Sequence, residues 1–95
     1  MVDIAGSIHE RYVVARRIGV LARHLAPLLP ENGRVLDVGC GDGAMSQAIL
    51  RLRPDLRMEG IEVMRRGRPE IKVSMYDGET IPFADGSFDS VLFVN

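Results

Sequence analysis

The chain has no tryptophan, one cysteine and only five aromatic residues, two Tyr and three Phe, in 95 residues. A lone Cys40 excludes an intramolecular disulfide, and His9 and His24 have no partners at metal-ligand spacing. No metal is expected. No apolar run approaches the ~20 residues needed to span a bilayer, which predicts no membrane partner. Met1 to Gly6 lacks the basic start and apolar core of a secretory signal, so a cytoplasmic location is the default. Net charge is also missing: 12 basic and 13 acidic residues leave a formal charge of -1. Nothing in that sum points to nucleic acid or an anionic membrane, and no nucleic-acid partner is expected. What remains is an ordinary globular composition, 46% hydrophobic and 26% charged, with room for one small domain over residues 1–95.

The most informative segment present is Val35-Leu36-Asp37-Val38-Gly39-Cys40-Gly41-Asp42-Gly43. Its apolar start suits a strand buried on both faces. The three glycines then let the backbone turn sharply and come close to a ligand. Met45, Ala48, Ile49 and Leu52 follow at helical spacing, so the glycines sit at a strand-to-helix junction. Gly39-x-Gly41-x-x-Ala44 also satisfies the dinucleotide fingerprint. Asp37 argues against that reading, because a carboxylate there would repel a pyrophosphate and favour a cofactor with a cationic amino group. Cys40, near a helix N-terminus, has the position of an activated thiol. With no histidine nearby in sequence, it reads instead as a small packing residue between glycines.

This stretch closely resembles the first motif of class I S-adenosylmethionine-dependent methyltransferases. The resemblance implies a Rossmann-like α/β fold, a mostly parallel sheet of order 3-2-1-4 flanked by helices and incomplete relative to the usual seven strands. It also implies S-adenosylmethionine as cofactor and a small molecule as methyl acceptor. Further segments fall in matching order. Met58 to Val63 reads as a second strand ending in Glu62, whose carboxylate would hold the ribose hydroxyls. Ile71 to Gly78 reads as a third strand and polar turn, in which Asp77 would accept from the adenine amino group. Pro82 to Asp89 resembles the loop before a fourth strand, Ser90 to Asn95. The implied cofactor site is Asp37, Gly39, Cys40, Gly41, Glu62, Val63, Asp77, Gly78 and Asn95. No catalytic base is implied, and none is assigned. Two other classes share these features: a fragment of an NAD-dependent oxidoreductase, and a non-enzymatic methyltransferase-like interaction module.

Before the first strand, residues 7–29 should form an amphipathic helix, with Val14, Ile18, Leu21, Leu25 and Leu28 on one stripe. Ser7 and Glu10 match a capping box, and Pro30 with Asn32-Gly33 ends the helix. In the resembled family such a helix lies over the cofactor, where Arg11, Tyr12 or Arg16 would reach its carboxylate. A charged side facing water is the simpler reading. Only Met64-Arg65-Arg66-Gly67-Arg68-Pro69-Glu70 separates the second strand from the third. A parallel crossover normally needs about a dozen residues or more, so a short extended loop is predicted. Its three arginines read as a solvated surface, because no aromatics interleave as a base-stacking platform requires. The chain ends where the fourth strand should finish, as a truncated cofactor half would. The uncovered sheet edge then predicts self-association.

Overall fold

The computed structural model describes residues 4–94, with side chains described from Tyr12 onward. Helix α1 (Ile4–Leu25) runs into a short 3-10 turn (Ala26–Leu28). Strand β1 (Arg34–Val38), helix α2 (Ala44–Leu52) and strands β2 (Arg57–Glu62), β3 (Lys72–Met75) and β4 (Ser90–Phe93) follow. The sheet order is β3-β2-β1-β4 and every pairing is parallel. Asp37 lies beside Gly60 on one side and Leu92 on the other, so β1 is central and its carboxyl end meets those of both neighbours.

The two faces of the sheet are covered unequally. Val35, Met58 and Leu92 pack with Ile49 of α2 and with Ala22, Ala26 and Leu29 of the leading segment. On the opposite face, among the described residues, Leu36, Val38 and Ile61 are covered by Tyr76, Phe83 and Phe88 from the segment between β3 and β4. Phe83 and Phe88 meet edge to face, with ring centroids 5.0 Å apart, the geometry that aromatic quadrupoles favour. Val91 and Phe93, which share that face, stay exposed.

The leading helix begins before residue 7 and ends at Leu25, and of the predicted stripe Ile18 and Leu25 are half-buried while the fully buried positions are others. Pro27 lacks an N–H and disfavours α geometry in the residue before it, which closes α1 into the 3-10 turn. Ala22 and Ala26 are the buried positions, whereas Val14, Leu21 and Leu28 are exposed. Small side chains let the backbone approach α2, and the larger apolar residues are left over. The Ser7–Glu10 capping box and Arg11 lie outside the described side chains. The end of this segment is clamped by Arg53, just past α2. Its guanidinium donates to the carbonyls of Ala26 (2.6 Å), Leu29 (2.9 Å) and Pro30 (3.3 Å). It also makes a bidentate pair with Asp55, at 2.9 Å for each bond. Asp55 in turn accepts from the Asn32 N–H at 2.8 Å, and these bonds hold its pKa well below the ordinary carboxylate range.

Between β2 and β3, residues 63–71 form no helix, as the loop length predicts. Ile71 is buried, and it lies with Pro69 against Gly43 at the start of α2. The connection is thus pinned at its far end by apolar contact.

Candidate functional site

At the carboxyl end of β1 the chain turns through Gly39 (φ 70°), Gly41 (φ 59°) and Gly43 (φ 80°) before α2 begins. The Gly39 and Cys40 N–H groups both donate to the Ile61 carbonyl, at 2.9 and 3.2 Å, which ties the turn to β2. A Cβ added at Gly41 would meet nothing within 4 Å. Gly41 therefore presents bare backbone to open space, and its left-handed φ disfavours any other residue.

Glu62 ends β2 beneath this turn. One carboxylate oxygen accepts from the Gly41 N–H at 2.8 Å, and the other accepts from the Val63 N–H at 2.9 Å. The bond from Val63, followed by that from Gly41, lowers the Glu62 pKa. The group is anionic and fixed at the mouth of the turn. Each oxygen has a second lone pair with which to accept from a ligand hydroxyl.

Asp37 is only 2% exposed and receives a 2.7 Å hydrogen bond from the Ser46 hydroxyl on the first turn of α2. Burial raises its pKa; the Ser46 bond opposes that, and the Glu62 charge adds to it. A buried carboxylate with one hydroxyl partner is under-compensated, and a cationic group nearby would relieve it. Cys40 is buried, its pKa pushed up to about 11, chiefly by burial and then by Asp37 and Glu62. A protonated, enclosed thiol is a packing group, not a nucleophile. It packs on Gly60, where an added Cβ would fall 2.7 Å from the Cys40 Cβ.

The second group of expected residues lies one strand further out. Asp77 follows β3 and accepts from the N–H groups of Thr80 (2.7 Å) and Glu79 (2.8 Å), which lowers its pKa. A Cβ at Gly78 would be 3.4 Å from Val63 Cγ2, so Val63 and Gly78 form one wall. The fold thus brings Asp37, Gly39, Cys40, Gly41, Glu62 and Val63 together, with Asp77 and Gly78 adjoining. Asn95 lies outside the described residues.

On the other side of the turn is a cavity of about 260 Å³. Val14, Ile18 and Leu21 of α1 line it, facing Cys40, Asp42 and Met45, with Val94 at the end of β4 and Arg17 at its rim. The apolar stripe that α1 leaves unburied is therefore the roof of this space. Of the α1 side chains, Arg17 and not Tyr12 or Arg16 lines this cavity beside the glycine turn. A larger groove of about 390 Å³ runs along α1 past Val13, Arg16 and Val20, but it touches none of the turn.

Sequence reading missed Ser46, whose only signal was a hydroxyl nine residues after Asp37 on a helix's first turn. It also missed Gly60, although a glycine inside a strand is a mark of close backbone approach.

A family model described as a methyltransferase domain matches residues 9–95. The ribosomal RNA small subunit methyltransferase C of Shewanella loihica is 28% identical over 82 residues, covering 77% of this chain and 23% of that protein. Its namesake in Shewanella sediminis is 31% identical over 71 residues, covering 70% and 20%. That of Shewanella pealeana is 44% identical over 39 residues, covering 41% and 11%. The chain spans less than a quarter of the length of these curated relatives.

These relatives overturn the expectation of a small-molecule acceptor and of no nucleic-acid partner, since each is named for ribosomal RNA. The physical reason is that net charge is a sum over the whole chain and hides local clusters of one sign. No helix among the described residues is long and apolar enough to cross a membrane. With the family model covering residues 9–95 and the sheet running 3-2-1-4, the chain belongs to the class I S-adenosylmethionine-dependent methyltransferases.

Proposed function

We propose that this chain is the cofactor-binding part of a methyltransferase that uses S-adenosylmethionine and modifies RNA. The observation that carries the cofactor reading is the bare Gly41 backbone, open where a Cβ would stand, with the Glu62 carboxylate held beside it. A dinucleotide would bring a pyrophosphate toward buried Asp37, whereas a cationic amino group there offsets the cost of its burial. The RNA acceptor rests on the names of the relatives.

In this reading Gly39 and Gly41 pass under the cofactor, and Asp37 favours its amino group. Glu62 accepts from the ribose hydroxyls, while Val63, Asp77 and Gly78 border the adenine. Arg17, at the rim of the 260 Å³ cavity, faces the carboxylate end. The cofactor's sulfonium supplies both the methyl group and its leaving group. The chain's own task is then to position, to hold charge and to exclude water. The apolar roof of Val14, Ile18 and Leu21 serves the last of these.

Calorimetry with S-adenosylhomocysteine, and with NAD as control, tests the reading. Binding of the first alone, weakened at least tenfold by Glu62→Gln, is the expected result. Binding of NAD, or of neither, would overturn it.

A further inference from the structure

We infer that Arg65, Arg66 and Arg68, on the connection between β2 and β3, are this chain's contact with the phosphodiester backbone of RNA; the inference rests on the RNA reading above. Where a parallel crossover normally carries a helix, this chain carries an exposed loop with three guanidiniums in four residues. None of those guanidiniums is in an ion pair within 4.0 Å among the described residues, and Arg66 only adds its charge at longer range to the causes that lower the Glu62 pKa. Among the described residues, the ion pairs within 4.0 Å are Arg34 with Glu59 and Arg53 with Asp55. The carboxylates nearest in the chain or across the turn are engaged elsewhere. Glu62 accepts from Gly41 and Val63, Asp42 caps the Ala44 N–H at 3.0 Å, and Glu70 accepts from the Gln47 side chain.

The loop is also held in place. A Cβ at Gly67 would lie 3.7 Å from Asp42 Cβ, and Pro69 and Ile71 pack on Gly43. Arg65 and Arg66 are therefore displayed beside the glycine turn, with exposed Arg68 next to them in the loop. Arg65 and Arg66 flank a crevice that reaches Gly41. An RNA strand held there would run along the rim of the proposed cofactor site. Arginine suits this task, since its planar fork matches phosphate oxygens two at a time. The lack of aromatics, which argues against base stacking, is what a contact to backbone alone permits. Such contacts position a strand without reading its sequence.

Counterion release gives the test. Each phosphate neutralised on a single strand contributes about -0.7 to the slope of log K against log salt. Anisotropy of a fluorescein-labelled oligouridylate, titrated between about 50 and 200 mM potassium chloride, should show wild-type binding. The Arg65→Ala/Arg66→Ala/Arg68→Ala variant should lose about 2 from the magnitude of that slope and bind at least tenfold more weakly at the lower salt. Replacing the three by lysine should keep the slope while weakening affinity, which guards against an unfolded alanine variant. An Arg23→Ala/Arg51→Ala/Arg57→Ala control removes equal charge elsewhere and should leave the slope unchanged. Equal losses in variant and control, or none in the variant, would overturn the patch and leave an RNA acceptor standing. No RNA binding by the wild type would overturn both.

Discussion

Two connections in this molecule do the same topological job by different means. From β1 to β2 the chain passes through a glycine turn and α2, and nearly every polar group on the way is tied down. Asp37 is bound to Ser46, Gly41 to Glu62, and Arg53 to three carbonyls and Asp55. From β2 to β3 it passes through residues 63–71, anchored by Pro69 and Ile71 and otherwise exposed. The first route is built so that one backbone segment stands open to a ligand with everything around it fixed. The second leaves its three arginines exposed and outside any ion pair within 4.0 Å among the described residues. The contrast teaches where precision is needed: rigid support belongs under a small ligand, while a long polyanion can be met by arginines on a loop.

The sharpest way to break the first connection is at Gly60. A Cβ there would overlap Cys40, so Gly60→Ala forces the glycine turn away from β2. Overpacking of this kind costs about 1–3 kcal/mol, or at least ~4 °C in the melting temperature of a domain this small. Thermal unfolding followed by circular dichroism measures it. The Arg65/Arg66/Arg68 alanine variant should instead stay within about 0.5 kcal/mol of wild type, as exposed substitutions do.

Asp37 gives a second, opposed effect. Its folded pKa is raised by burial, so the native state binds this proton more tightly than the unfolded chain does. Its contribution to stability therefore falls as pH rises from the ordinary carboxylate range through the raised value. Asp37→Asn removes that penalty and keeps an oxygen for Ser46. The variant should melt no lower than wild type at pH 7, yet lose cofactor affinity at least tenfold by calorimetry. Glu62 and Asp77 have lowered pKa values, so their contributions are present above the ordinary carboxylate range and are lost as pH falls from it through the lowered values. The sign of the Asp37→Asn difference is the diagnostic. A clear loss of stability in that variant would show that the carboxylate serves the fold.

The smallest effect concerns Cys40. With its pKa near 11, the thiol should resist iodoacetamide at pH 7.5 in the folded protein and react only on unfolding, as mass spectrometry would record.

The strands and the glycine turn were legible because β1 is apolar on both sides and the turn needs glycine for steric reasons that any sequence displays. The sheet order came with the family resemblance that the glycine turn carries, since the order of residues along a chain does not by itself fix the order of strands in a sheet. What was not legible depended on two side chains meeting in space. Ser46 gains its role only because α2 folds back over β1, and Arg53 because α1 ends beside α2. The α1 stripe misled for a related reason. Periodicity marks an apolar face, but it does not distinguish a face packed on protein from one that roofs a cavity. Val14 and Leu21 roof a cavity, while Ala22 and Ala26 do the packing. The acceptor was misread because a net charge of -1 and a loop without interleaved aromatics point away from nucleic acid, and neither observation bears on a contact made to phosphates alone.

The most direct test of the central claim is an amide-resolved nuclear magnetic resonance titration of the chain with S-adenosylhomocysteine. The account predicts that the largest shifts fall at Gly39, Gly41 and Val63, with smaller ones at Gly78 and little change at Arg51 or Arg57. Shifts absent from the glycine turn, or confined to the outer groove of α1 near Val13 and Val20, would contradict it.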